Sequence, residues 1–433
     1  MELLHANGEL GKHAPSYYAA SSDHAPYPAL ESTLSADVCV IGAGYTGLST
    51  ALHLSEAGYS VVVLDAHKVG WGASGRNGGQ LGTGFNNSQQ QLEKSMGADA
   101  AKQLWAFSEQ AKYTFHTLCE THNIDAEYKA GIIVAAHKAR ELNNLKNHCD
   151  HLRITYNYDQ TEVLEKHALL ERLSSRVYCG GIIDRGAGHI HPLKFAQGLA
   201  RAAHSQGVKI FEHSKVSKVE FLPSEPHLVL AENGCVKAHN VVFACNGYID
   251  ELSTGFKKVV MPINNYMVAT EPLGTVAAEL LPSNNAVYDT RFVVNYYRLS
   301  KDNRLLFGGG ESYGYKFPKD IAAKVRKPME RIFPELKGVG IDYAWGGTLG
   351  ITFTRLLHAG HNGHGGYTAG GYSGHGVALS IETGKAIAEA IDSSPERFKL
   401  LCSLPCGRFP GGRIARTALL TVAMSGMALL DRI

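Results

Sequence analysis

At 433 residues the chain exceeds the ~250–300 at which one hydrophobic core usually stops growing, so two domains are expected. Apolar residues at 44% and charged residues at 19% describe an ordinary soluble globular protein, and a formal net charge of +2 offers no broad field for nucleic acid or an acidic membrane surface. Eight scattered cysteines without a CxxC pair argue against a zinc ribbon or disulfide framework and for reduced thiols in a cytosol. The opening MELLHANGEL has no basic stretch before an apolar core, and the uncharged run 417–430 is shorter than the ~20 residues that cross a bilayer, so a cytoplasmic protein is expected.

Residues 1–35 are polar, rich in Pro, Ser, Tyr and His, and read as an extension lying over the surface. Residues 37–41 (DVCVI) form a short strand, 46–58 carry helical spacing with a glycine stop, and 60–65 (SVVVLD) form a second strand. Strands this rich in valine suit burial on both faces and need not alternate. Residues 91–180 read as predominantly helical. A helix from 191 to 207 begins with proline near its first turn and ends at glycine. Two or three strands follow, ending in VVFACNG (241–247); 259–340 are mixed and β-rich, 361–376 are glycine-rich, and 377–391 are again helical.

The strongest local signal is Gly42-Ala-Gly44-Tyr-Thr46-Gly47, set between the first strand and its helix. Gly42 allows the tight turn, Gly44 lets backbone approach a pyrophosphate, and Gly47 lets helix and strand pack closely. The helix N-terminus then aims free N–H groups and its dipole at the phosphates. Asp65 closes the second strand, where a carboxylate accepts hydrogen bonds from ribose hydroxyls; such bonds contribute roughly 1.5–3 kcal/mol each. The unit alone does not separate NAD from FAD. In 69–80 (VGWGASGRNGGQ), Ser74, Arg76 and Asn77 supply donors and Gly75, Gly78 and Gly79 let backbone pass close to a flat ring, with Gln80 at the end; the other reading is a flexible surface loop. His358, His361 and His364 recur every third residue, yet their glycine-rich surroundings do not hold imidazoles rigidly and no acidic residue lies among them, so no metal site is expected.

The loop GWGASGRNGGQ resembles the flavin-contacting loop of the D-amino-acid oxidase superfamily, and is most similar to its gamma-glutamylputrescine oxidoreductase branch. The likeness extends to 16–20 (SYYAA), 258–273 (KVVMPINNYMVATEPL), 367–376 (YTAGGYSGHG) and the tail RFPGGRIARTALL. It implies an α/β chain with a glutathione-reductase-like Rossmann FAD domain, discontinuous, and an antiparallel-sheet substrate domain. The expected segments are an extension 1–35, FAD-binding parts 36–95, 181–258 and 341–395, substrate parts 96–180 and 259–340, and a helical tail 396–433. The tail reads as packed on the FAD domain or resting on a bilayer surface. Gly371, Tyr372, Ser373, Gly374, His375 and Gly376 match the second flavin segment, whose helix faces the ring edge where negative charge collects on reduction. His375 is the candidate polar group beside the flavin, and its other reading is a structural histidine. Val216 matches the strand whose backbone contacts adenine, and Asn246 and Gly247 match the turn over the pyrophosphate.

Two departures bear on the substrate. Sarcosine-oxidase-like relatives carry a carboxylate-binding lysine where this chain has Ala378, and the branch usually has proline where this chain has Leu357. Many relatives hold flavin through a cysteine in the C-terminal half, and none occurs between Cys245 and Cys402, so the expected FAD is non-covalent. The resemblance implies oxidation of an amine to aldehyde and ammonia with O2 reduced to H2O2. An amino-acid oxidase or quinone-linked dehydrogenase is the nearest alternative, and a flavin-binding sensor without turnover is an alternative of another class.

Overall fold

The structure, a computed structural model, describes residues 3–8, 11–23, 25–223, 226–312 and 314–409. Its strands in chain order are β1 Thr33–Ile41, β2 Val61–Leu64, β3 Gln80–Leu81, β4 Lys129–Ala136, β5 Thr161–Glu165, β6 Gly180–His189, β7 Lys209–Phe211, β8 Val216–Glu220 and β9 His227–Ala231. They continue with β10 Cys235–Phe243, β11 Met261–Thr270, β12 Ala286–Asp289, β13 Tyr296–Leu299, β14 Leu305–Ser312, β15 Ile341–Ile351, β16 His358–His361 and β17 Gly366–Gly370.

The valine-rich strands β10, β1 and β2 form the centre of the first sheet, whose order is β16-β17-β10-β1-β2-β7, with β9 added to β10 and β8 to β9. It is parallel from β17 to β7, with β16 antiparallel at one edge and β8 and β9 joined antiparallel through β10. Val38, Val40, Val61 and Val63 face a core shared with Leu48, Leu52, Phe195 and Ile381. Those four belong to the helices Tyr45–Glu56, Pro192–Ser205 and Gly376–Ile391. The alternate residues Cys39, Ile41, Val62 and Leu64 face Leu30, Val216, Val229 and Val236 on the other side. This is the covering that parallel sheets require. Pro192 sits in the first turn of its helix as expected, and the His191 side chain accepts the Lys194 N–H as its cap.

The second sheet runs β15-β11-β14-β13-β12-β4-β6-β3, with β5 on β6. It is antiparallel except for the parallel pair β12–β4. On one face Tyr266, Val268 and Phe307 pack against Val325, Met329 and Ile332 of the helix Ile321–Ile332.

The region 91–180 departs from the helical expectation. It holds the helix Ala98–Thr121 and the helix Ala139–Tyr156, but β4 and β5 lie among them. The last six residues of β4, GIIVAA, are all buried, so no alternation marks them as a strand. Two expected segment limits also fall elsewhere in the sheets. β6 pairs with β4, β5 and β3, and β15 pairs with β11 along its length, so 180–189 and 341–351 lie in the second sheet rather than with the dinucleotide segments. Of the expected tail, the helix Glu396–Cys402 is present and residues from 410 onward lie outside the described residues.

The N-terminal segment does more than lie over the surface. Tyr18 is fully buried, its ring centroid 5.2 Å from that of Trp345 and 5.0 Å from that of His191. Trp345 in turn donates its indole N–H to the Arg76 carbonyl at 3.0 Å, so the segment packs against the same strand that holds the 69–80 loop. Truncation Tyr18→Ala should therefore cost about 3–5 kcal/mol, the range for a buried aromatic. Equilibrium urea denaturation checks this, and a loss under about 0.5 kcal/mol, the size of a surface substitution, would show that the segment is only draped on the fold.

Candidate active site

The helix Tyr45–Glu56 begins at Gly44, which has no side chain with which to cap it. Ser74 of the following loop supplies the missing acceptor: its Oγ takes the Tyr45 N–H at 3.0 Å. A Cβ on Gly44 would stand 2.8 Å from that oxygen, so a side chain here would push aside the hydroxyl that caps the helix. Gly42 turns with φ +110°, a conformation that favours glycine, and a Cβ on Gly47 would stand 2.0 Å from the Gly42 carbonyl oxygen. Asp65 braces this turn, accepting Ala43 N–H and His67 N–H at 2.8 Å each, one on each carboxylate oxygen. Burial pushes its carboxyl up to about 6. Each oxygen keeps a lone pair for a further donor such as a ribose hydroxyl.

The loop that follows is held from all sides. Asn77 donates to the Ala73 and Ser74 carbonyls at 2.9 and 3.0 Å and accepts the Gly79 N–H at 2.7 Å, so its side chain stitches the loop to itself. Arg76 is buried, lies over the Trp71 ring with its guanidinium 4.5 Å from the centroid, and donates to the carbonyls of Trp71 at 2.6 Å and Gly346 at 3.1 Å. It braces the loop against β15. Gly75 packs beneath the Gly70 carbonyl, where a Cβ would meet the oxygen at 2.2 Å. The Tyr296 ring covers Gly78, 2.7 Å from where a Cβ would sit, and the Gly79 carbonyl accepts the Ile190 N–H at 2.8 Å. Gln80 enters β3 and donates to the Val287 carbonyl at 3.0 Å.

The second glycine segment meets the first directly: Thr46 Oγ1 and the Tyr372 hydroxyl lie 2.7 Å apart. Gly371 and Gly374 have φ +73° and +98°, and Ser373 sits at φ +51° with its Oγ donating to the Gly371 carbonyl. Asn246 is the brace here, its Oδ1 accepting the Gly371 N–H at 2.8 Å, and Gly247 packs against Gly350. His375 is the N-cap residue of the helix Gly376–Ile391 but gives it no side-chain cap. Its Nδ1 lies 3.4 Å from the Asn86 amide nitrogen, and burial lowers its pKa to about 4, so the ring is neutral near pH 7. Val216 opens β8 and is buried beside the first sheet. Ala378 and Leu357 are buried in the main core and bring no polar group. Cys245 donates its thiol to the Ile41 carbonyl, and burial pushes it up to about 12. His358 and His361 stand three residues apart on one strand and so point to opposite faces, and His361 packs on Tyr367 with centroids 4.4 Å apart. No group of three or more His, Cys, Asp or Glu converges among the described residues.

Three supporting residues were not visible in the sequence. Glu212, fully buried, accepts the Val69 N–H at 2.8 Å and so fixes the start of the loop. Arg298 and Tyr296, both on β13, fix its end at Gly78. Each lies over 140 residues from its partner, and no local motif marks any of them.

These features suit a flavin dinucleotide: a helix N-terminus capped from outside, glycines at which a Cβ has no room, and two glycine segments hydrogen-bonded to one another. Acid precipitation should release all flavin from the wild-type protein into the supernatant, while Gly44→Val, which displaces Ser74, yields a colourless protein that added FAD does not restore. Ser74→Ala should remain folded but lose about 1 kcal/mol of stability with its cap. Retention of full yellow colour by Gly44→Val would remove this helix from the cofactor site.

Residues 37–390 match the DAO family, described as FAD dependent oxidoreductase. The chain is 38% identical to gamma-glutamylputrescine oxidoreductase of Escherichia coli (strain K12) over 425 residues, 98% of this chain and 99% of that protein. It is 40% identical to the probable oxidoreductase OrdL of Rhizobium meliloti (strain 1021), covering 96% and 97% of the two. Among solved structures, glycine oxidase from Geobacillus kaustophilus shares the fold with a TM-score of 0.74 at 22% identity, over 86% of this chain and 100% of that one. The chain belongs to the DAO family of FAD-dependent oxidoreductases.

Proposed function

We propose that this protein oxidises the C–N bond of a primary amine of the gamma-glutamylputrescine class, converting amine, water and dioxygen into aldehyde, ammonia and hydrogen peroxide. The observation that carries the reading is similarity over 98% of the chain to a relative named for that substrate. FAD, when bound, supplies a two-electron acceptor for the hydride leaving the carbon beside nitrogen. In this reading Gly42, Gly44, Thr46 and Gly47 receive the pyrophosphate, Asp65 the ribose, and Val216 the adenine. Asn246 and Gly247 close the turn beside them. Residues 74–80 and 371–376 hold the ring. The absence of cysteine between Cys245 and Cys402 favours non-covalent binding.

Protein groups orient and exclude water rather than exchange protons at an obligatory step. The N-terminus of the helix Gly376–Ile391 directs a positive dipole end toward the ring segment, favouring negative charge there. His375, neutral, can donate or accept one hydrogen bond but is a poor proton acceptor. Accordingly His375→Gln should leave the shape of the kcat/KM profile unchanged between about pH 5 and pH 9. Disappearance of an ionisation from that window would make His375 the base and overturn this assignment.

Ala378 sets the expected preference. A carboxylate held close to the reacting carbon needs a cationic partner, and the resemblance puts Ala378, with only a methyl group, where sarcosine-type relatives carry a lysine. A long-chain amine such as gamma-glutamylputrescine should show kcat/KM at least ~100-fold above sarcosine, glycine or D-alanine, about 2.7 kcal/mol of differential transition-state binding. The assay is anaerobic bleaching of the yellow protein by each amine, followed by recolouring in air. Faster oxidation of a simple amino acid overturns the substrate class, and bleaching without recolouring points to a quinone-linked dehydrogenase.

A further inference from the structure

Arg298 lies on β13 with 4% of its surface exposed. Its guanidinium donates to three neutral acceptors: the Gly78 carbonyl at 3.0 Å, the Leu299 carbonyl at 3.3 Å and the Tyr18 hydroxyl at 3.3 Å. The arginines in the connections before and after β13 take carboxylates, Arg291 pairing with Asp289 and Arg304 with Asp302 and Asp342. Among the described residues Arg298 takes none. The two imidazoles beside it are neutral, since burial and the Arg298 charge hold His189 and His191 down at about 3, and a neutral imidazole supplies no counter-charge. A buried charge without a counter-charge is costly, and hydrogen bonds to neutral groups offset only part of that cost.

The position of this cation is specific. It touches the backbone of Gly78, and a Cβ on Gly79 would stand 3.2 Å from its Nη2. These are the glycines proposed above to pass beside the flavin ring, and the inference rests on that placement. Hydride transfer brings two electrons and one proton to a neutral ring, which then carries one negative charge unless a second proton follows. We propose that Arg298 is a positioning residue whose buried charge, set behind Gly78 and Gly79, stabilises the anionic reduced cofactor and raises its potential. The cation then has its counter-charge for part of each turnover, and its cost in the oxidised protein becomes a preference for the reduced one.

The test uses the FAD-loaded protein with sulfite as probe, because sulfite donates its lone pair to the flavin N5 and leaves the ring anionic without any substrate. Arg298→Gln should bind sulfite at least tenfold more weakly, and its two-electron potential should fall by at least about 30 mV, the equivalent of tenfold in the equilibrium constant. Arg298→Lys, which keeps the charge, should stay within about threefold of wild type. Wild-type potential and sulfite affinity in Arg298→Gln, with only a lower melting temperature, would make Arg298 a loop clamp and overturn the proposal. An unchanged potential with a raised KM for carboxylate-bearing amines would also overturn it, assigning the charge to the substrate. If Arg298→Gln loses FAD during purification, the apo-protein is titrated with oxidised and with reduced FAD. The proposal requires a loss at least tenfold greater for the reduced form, and equal losses reject it. Full FAD content in Gly44→Val would instead reject the placement of the cofactor, whatever Arg298 does.

Discussion

At Gly47 a Cβ would stand 2.0 Å from the carbonyl oxygen of Gly42, so the first helix and the first strand can meet only through a glycine. That contact brings the N-terminus of the helix Tyr45–Glu56 down onto the end of β1 and leaves Gly44 as an N-cap without a side chain. The rest of the site follows from how this bare helix end is completed. Ser74 caps it from the loop, Asp65 braces the turn below it, and Thr46 in its first turn reaches Tyr372. One close approach of backbone therefore organises segments from three parts of the chain.

The two sheets are joined at the same place. Arg76, within the loop, donates to Gly346 of β15, and Trp345 donates back to the Arg76 carbonyl. Arg298 of β13 holds Gly78, and Ile190, just after β6, holds Gly79. Tyr18 then fills the space between Arg298, Trp345 and His191, which ties the N-terminal segment to both. A loop of glycines has many conformations to lose on ordering. Here buried hydrogen bonds drawn from both sheets select one of them.

Polar groups around the loop are consequently held in neutral or braced states. Burial keeps His189, His191 and His375 unprotonated near neutral pH and keeps Cys245 a thiol. Arg76 and Arg298 remain as the buried cations bonded to loop carbonyls. Such an interior has little protein acid or base to offer and strong fixed electrostatics, which matches chemistry carried by a cofactor rather than by side chains.

The first βαβ unit, its glycines, Asp65, the helix starting at Pro192 and the helix after Gly376 were all legible in the sequence. Each is specified by residues close together in the chain: a strand's valines, a turn's glycine, a helix's first proline. β4 was not legible, because a strand buried on both faces shows no period, and neither was the place of β6 and β15, whose membership of a sheet is a matter of pairing rather than of propensity. Side-chain direction was lost in the same way. Arg76, Asn77 and Asn246 were recognised as loop residues, but the side-chain bonds they make go to carbonyls and N–H groups of the protein itself. Glu212 and Arg298 carried no signal at all, since the groups they hold lie 143 and 220 residues away, and Tyr18 was marked only as part of the segment 16–20, not as the partner of Arg298, 280 residues away. A local pattern can specify which turn a backbone takes; which distant side chain satisfies that turn's buried donors and acceptors is settled only when the sheets close around it.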